Sequence, residues 1–158
     1  MNQNDSKYNK FHLVNEMFAS VDLIRNFDFT WVDRLWEVAN SSTRWHLTGE
    51  GSSRIFPGKN ALHHRNLLGR GPEISVQDAT LLKDYNLNES VVMGASNSGR
   101  TKELVSLFQK LKSENRQKLL AISANRNSPL EALATQILYL LTMLHSGHQQ
   151  YLSHQLPH

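Results

Sequence analysis

The sequence predicts an α/β domain built on a mainly parallel sheet. Three observations point there. Short apolar, β-branched runs such as 90–93 and 118–123 read as buried strands. Runs of helical period separate them, as in Leu104, Val105, Leu107, Phe108 and Leu111. Small polar turns, several bearing glycine, follow the strands. Strands joined through helices require crossover connections, and crossovers give parallel pairing.

Taken in order, residues 8–25 predict an amphipathic helix with Phe11, Val14, Phe18, Val21 and Ile24 along one face. Residues 31–39 predict a second, with Thr30 as N-cap and Val32, Leu35, Trp36 and Ala39 buried. A first strand over 44–48 runs into the glycine turn Gly49-Glu50-Gly51-Ser52-Ser53. A helix over 55–68 follows, with Pro57 placed in its first turn, where proline is tolerated. Gly69 to Pro72 ends it. Residues 73–77 alternate as a second strand, and 79–85 form a short helix or turn. The third strand starts at Val91, the fourth covers 118–123 and the fifth 136–141. In such sheets ligands bind beyond the carboxyl ends of the strands. The segments 49–53, 96–101 and 123–128 all fall at those ends.

The stretch from Val91 to Leu104 organises the chain. It reads as strand, then a small polar turn from Gly94 to Gly99, then a helix whose period begins at Arg100. A turn of this kind puts free backbone N–H groups at a helix N-terminus, where they attract an anion. Ser96, Ser98 and Thr101 add hydroxyl donors, so the stretch reads as a phosphate cradle. Three other readings compete. The plainest is a capped helix start, with Ser96 or Ser98 as N-cap, but a cap needs one hydroxyl rather than three. The second is a nucleotide-binding P-loop from Gly94 to Thr101, in which Arg100 replaces the lysine and no later strand supplies a magnesium-binding acid. The third is a dinucleotide fingerprint at Gly49-Glu50-Gly51, where Arg54 stands in place of the third glycine.

The 158 residues suffice for one domain with a core, and 39% hydrophobic with 20% charged residues marks a globular chain. With no cysteine there is neither a disulfide nor a thiolate metal site, which is compatible with a reducing cytosol; a cytoplasmic location is expected. No apolar run is long enough to cross a bilayer, and the polar N-terminus lacks a signal-peptide core. The net charge of +3 comes from scattered basic residues rather than a stripe, which argues against nucleic acid and suits a small anion.

Among the histidines, His63 and His64 are helical neighbours that do not face one way. His145, His148, His154 and His158 crowd a tail read as solvated, so no metal is expected, nor any other cofactor. No serine, histidine and acid spacing identifies a hydrolase. Glu50, Glu103 and Glu131 are the acid/base candidates, the last two read as residues of early helix turns.

These motifs resemble the sugar isomerase (SIS) domain family. Gly49, Gly51 and Ser53 meet its first motif, G-x-G-x-S. Ser96, Ser98, Gly99, Thr101 and Glu103 meet its second, S-x-S-G-x-T-x-E. The comparison made here is with the first SIS domain of glucosamine-6-phosphate synthase and of related phosphosugar aldose–ketose isomerases, over roughly His12 to Thr142. The resemblance implies a three-layer α/β/α sandwich with a five-stranded, mainly parallel, flavodoxin-like sheet. It implies that Ser53, Ser96, Asn97, Ser98 and Thr101 hold the phosphate, and that Gly51, Ser52, Ser123 and Ser128 contact the sugar. It assigns no catalytic residue, because the proton-transfer residues of double-domain members lie in a second SIS domain, and this sequence contains neither that domain nor a glutaminase domain.

The organisation expected is one SIS domain with N-terminal helices over 1–142, then a divergent, His-rich tail over 143–158, where the family pattern stops or is truncated. The function expected is phosphosugar binding, related to aldose–ketose isomerisation. The alternatives are a non-catalytic sugar-phosphate sensor or inactive isomerase and, behind both, a degenerate P-loop nucleotide binder. Exposed apolar surface and the family habit of pairing imply a homo-oligomer or a partner SIS domain.

Overall fold

The structure, a computed structural model, describes residues 12–140. It divides into two compact units. The described part of the first is helix α1 (His12–Arg25), so that the expected residues 8–11, Phe11 among them, lie outside the described residues, as does the His-rich tail over 143–158. The second unit, Phe29–Leu141, carries the rest.

In that unit α2 (Thr30–Ala39) leads into β1 (Arg44–Gly49), α3 (Ser52–Leu68), β2 (Glu73–Val76), α4 (Ala79–Leu82), β3 (Val91–Ser96), α5 (Lys102–Ser113), β4 (Leu119–Ser123), α6 (Pro129–Leu133) and β5 (Gln136–Tyr139). The five strands form one sheet in the order β2-β1-β3-β4-β5, and every pair is parallel. The chain starts near the middle of the sheet, moves out to β2, then crosses back to β3. That reversal opens a crevice between the carboxyl ends of β1 and β3, where the 49–53 and 96–101 turns meet.

Two helical layers cover the sheet. On one face Gly58 of α3 lies against Val76, whose Cγ1 stands 2.6 Å from where a Gly58 side chain would begin. Trp36 of α2 meets Trp45 of β1 edge to face at 6.1 Å between ring centres. On the other face α5 presses on Gly94, since a β-carbon there would come within 2.7 Å of Leu104 and 2.9 Å of Phe108. Gly94 is therefore a strand residue that lets a helix approach, and the polar turn begins only after Ser96. The main core is on this second face, with Leu82, Val92, Leu104, Leu107, Phe108, Leu119 and Leu130 buried. Full burial of each such aliphatic or aromatic side chain contributes about 1.5–3 kcal/mol.

The same face of β1 carries polar groups. His46 Nδ1 lies 2.6 Å from Ser75 Oγ, and the ring meets Tyr85 edge to face. Burial, with Arg44 nearby, holds the imidazole below its usual pKa.

Three local expectations change. Thr30 is not the N-cap of α2: Phe29 occupies that position without a side-chain cap, and Thr30 is the first helical residue. In α2 Leu35 and Ala39 are buried as expected, but Val32 is 37% and Trp36 51% exposed. Helix α3 begins three residues earlier than predicted, at Ser52, so Pro57 lies inside it rather than in its first turn. Without an N–H, Pro57 leaves the Ser53 carbonyl unclaimed by the helix.

Candidate functional site

Four helices follow strands, and their first turns face the carboxyl edge of the sheet. Two are capped by side chains. Asp78 Oδ1 accepts from the Leu81 N–H at 2.8 Å at the start of α4, and Ser128 Oγ accepts from the Glu131 N–H at 3.4 Å at the start of α6. The other two, α3 and α5, have no side-chain cap. These are the helices on either side of the crevice between β1 and β3.

The start of α5 shows how the cap is withheld. Thr101 occupies the N-cap position, just before the first turn where the sequence put it, yet its hydroxyl is turned away from the helix. It shares a 2.8 Å hydrogen bond with Ser96 Oγ. Ser96 Oγ also accepts from the Gly99 N–H at 3.1 Å, and Ser98 Oγ accepts from the Arg100 N–H at 3.1 Å. Neither serine caps α5, which removes the plain capped-helix reading. The first four N–H groups of a helix have no intrahelical acceptor. Here they open towards the turn, alongside the exposed Asn97 and Ser98.

Gly99 makes the turn possible. Its φ is +64°, and a β-carbon would stand 2.3 Å from Ser128 Oγ and 3.1 Å from Ser123 Oγ. The turn thus rests directly on the loop after β4. Its carbonyls lock the two together: Gly99 O accepts from the Leu130 N–H at 3.2 Å, and Asn97 O accepts from the Ala124 N–H at 3.1 Å and from Asn125 Nδ2 at 2.9 Å. Ser123 and Ser128 are buried within this contact. Ser123 Oγ donates to Asn125 O and accepts from the Asn125 N–H, both at 3.1 Å. Both serines shape the turn from below.

On the other side of the crevice, Gly49 pairs with Ala95 across β1 and β3. A β-carbon on Gly49 would lie 2.5 Å from Ala95 O, so only glycine lets the two turns come this close. Gly51 takes the N-cap position of α3 with φ +54°, followed by an exposed Ser52 and a half-buried Ser53. Glu50 Oε1 accepts from the Ala79 N–H at 3.2 Å, which ties the first turn to α4. Glu103 and Glu131 stand in the first turns of α5 and α6, as expected. Tyr139, at the end of β5, has its hydroxyl pushed up to about 12 by burial and the nearby Glu131 carboxylate, so it keeps its proton near neutrality.

All the residues expected at the site therefore lie on the carboxyl edge of one sheet. Hydrogen bonds join Ser96 to Thr101, and the shared strand register sets Ser96 beside Ser123. One residue of this edge escaped the sequence reading. Arg54, in the first turn of α3, reaches towards Asp78, which follows β2. A cleft of about 340 Å³ opens elsewhere, lined by residues 40–44, Glu89 and Lys118, next to the starts of β1, β3 and β4. Its cations are occupied, Lys118 Nζ by Ser41 O and Glu89 and Arg44 by Asn88 O, so it fastens loops together at the opposite end of the strands. Among the described residues no three His, Asp or Glu side chains cluster as a metal site, and no helix is long and apolar enough to cross a membrane.

The sequence profile of the SIS domain family matches residues 44–155. The chain belongs to the SIS domain family. The match begins with β1 and includes both turns of the crevice. No curated protein matches the chain at a significant level. Solved SIS-like structures do. An E. coli CFT073 protein in complex with a phosphosugar is 23% identical, with a TM-score of 0.65 over 89% of this chain and 75% of its own. The Vibrio vulnificus NanR protein complexed with ManNAc-6P is 16% identical, with a TM-score of 0.63 over 96% of this chain and 66% of its own. The C-terminal domain of glucosamine-fructose-6-phosphate aminotransferase from Francisella tularensis is 20% identical, with a TM-score of 0.57 over 68% of this chain and 30% of its own. At these identities the likeness establishes a shared fold: the α/β sandwich with its five-stranded parallel sheet.

Proposed function

We propose that this SIS domain binds a phosphorylated sugar in the crevice between β1 and β3. The observation that carries the reading is the uncapped start of α5, where Thr101 turns its hydroxyl to Ser96 and leaves the first-turn N–H groups facing a hydroxyl-rich turn. A dianionic phosphate suits that position because it accepts from several N–H and O–H donors at once and meets the positive end of the helix dipole. In this reading Ser96, Asn97, Ser98 and Thr101 hold the phosphate from one side and Ser53 from the other. Gly51 and Ser52 lie along the sugar, while Ser123 and Ser128 set the height of the turn beneath it. Relatives of this fold solved with phosphosugars, ManNAc-6P among them, support the ligand class.

The activity to which we relate the domain is aldose–ketose isomerisation, a proton transfer between the first two sugar carbons through an enediol. Glu50 is the acid on this edge nearest the first motif, but its carboxylate is engaged with α4. We therefore assign sugar-phosphate binding to this chain and leave the proton transfer to a group brought by a partner domain. The P-loop reading loses its first glycine, because Gly94 packs under α5.

A thermal-shift panel tests this. A ligand specific to the native state raises the melting temperature, by an amount equivalent to about 2.7 kcal/mol at a hundred times its Kd. Fructose 6-phosphate, tagatose 6-phosphate or arabinose 5-phosphate should raise it, and the corresponding free sugars should not. Stabilisation by ATP with magnesium but by none of the sugar phosphates would overturn the assignment.

A further inference from the structure

Arg54 is the one cation of this edge whose surroundings fail to account for it. Its side chain is 21% exposed, yet among the described residues its guanidinium makes no hydrogen bond. Its one charged neighbour, Asp78 Oδ2, lies 3.9 Å from a terminal nitrogen, beyond hydrogen-bond distance. Asp78 is also committed elsewhere, as the cap of α4. A guanidinium carries five N–H donors, and a largely buried one normally finds acceptors for them. The Arg54 β-carbon lies 3.6 Å from the point where a Gly49 side chain would begin, which puts the residue in the crevice. From there it reaches towards the loop after β2, away from the 96–101 turn.

Building on the phosphosugar reading, we infer that Arg54 is a specificity-determining residue that donates to a neutral oxygen, a carbonyl or hydroxyl, at the end of the sugar remote from its phosphate. The position follows from strand order. A ligand anchored at the turn after β3 and lying across β1 presents its far end to the turn after β1. The neutrality follows from charge. Asp78 and Glu50 already stand on this side, and a second anionic group brought against Arg54 would meet both carboxylates. Sugar phosphates with an uncharged far end fit, and sugar acids do not.

The test is a calorimetric titration of the whole chain and two variants. Arg54→Met keeps the packing stem and removes the donors, and replacing an unpaired buried charge by an apolar group of similar shape is rarely destabilising. Asp78→Asn removes the neighbouring charge but keeps a good helix cap. The probes are inorganic phosphate, fructose 6-phosphate, tagatose 6-phosphate, arabinose 5-phosphate and 6-phosphogluconate. The wild type should prefer the neutral sugar phosphates to 6-phosphogluconate. Arg54→Met should lose about tenfold or more on the best of them, the effect of one hydrogen bond from a charged donor, and leave inorganic phosphate unchanged. An equal loss on inorganic phosphate would make Arg54 a phosphate ligand and overturn the inference. So would unchanged affinities with a melting temperature lowered equally in Arg54→Met and Asp78→Asn, the signature of a structural ion pair. If the wild type binds no phosphate ester at all, the phosphosugar reading fails first and this inference falls with it.

Discussion

Replacing Gly99 by alanine should lower the melting temperature of this domain by about 10 °C and abolish tight binding of sugar phosphates. The backbone cost of a left-handed non-glycine residue is about 1–2 kcal/mol. The added methyl would also stand 2.3 Å from Ser128 Oγ and 2.5 Å from Ser128 Cβ. Ser128 is buried and caps α6, so it can yield only by giving up the Glu131 N–H. Crowding of this kind costs about 1–3 kcal/mol. Together the terms reach about 3 kcal/mol, and each kcal/mol moves the melting temperature of a domain this size by roughly 2–4 °C or somewhat more. Gly69→Ala is the matched control. Gly69 has nearly the same φ, +62°, but open space where its side chain would be. It should show the backbone cost alone. Equal melting temperatures for the two variants would show that the 96–101 turn does not rest on the loop after β4.

The second large effect is on binding. The double variant Ser98→Ala/Thr101→Ala should weaken sugar-phosphate binding at least about tenfold, since each hydrogen bond to a charged group contributes roughly 1.5–3 kcal/mol. Its stability should change little. Neither hydroxyl caps α5, and what they lose inside the protein is one hydrogen bond each, to Ser96 Oγ and from the Arg100 N–H. Affinity for the free sugar should hardly move. Ser106 on the same helix is a poor reference, because it accepts from Lys83 Nζ at 2.9 Å. Ser113→Ala, at the far end of α5, serves better: its exposed hydroxyl donates only to Lys110 O. Full affinity in the double variant, measured by titration calorimetry, would place the anion elsewhere.

The parallel sheet was legible because its strands are short β-branched runs set between stretches of helical period. All five strands and the helices between them came from that alternation, with boundaries shifted by a few residues. The glycine motifs were legible for a related reason. Gly49 and Gly99 mark places where two backbones, or a backbone and Ser128, come too close for any side chain. Helix ends were less so. Thr30 has the chemistry of an N-cap yet lies inside α2, and Thr101 has the position of one yet bonds to Ser96. Which hydroxyl takes a cap depends on the approach of a neighbouring strand, and no local pattern records that. The burial of Trp36 was misread for a similar reason. Periodicity identifies an apolar stripe on α2, whereas the area covered depends on what packs against it. Arg54 gave no signal at all. Its isolation from acceptors exists only once β2 has brought Asp78 to within 3.9 Å and no closer.

The central claim is that the first-turn N–H groups of α5 hold the phosphate of a sugar phosphate. Amide chemical-shift mapping with isotope-labelled protein tests it most directly, titrating fructose 6-phosphate, tagatose 6-phosphate and arabinose 5-phosphate against their free sugars. The account predicts that a phosphate ester shifts the amides of Ser98 to Leu104 most strongly, with smaller shifts at Gly51 to Arg54, and that no free sugar does so at the same concentration. Shifts confined to the opposite end of the strands, at Ser41 to Arg44, Glu89 and Lys118, with Ser98 to Leu104 unmoved, would contradict it.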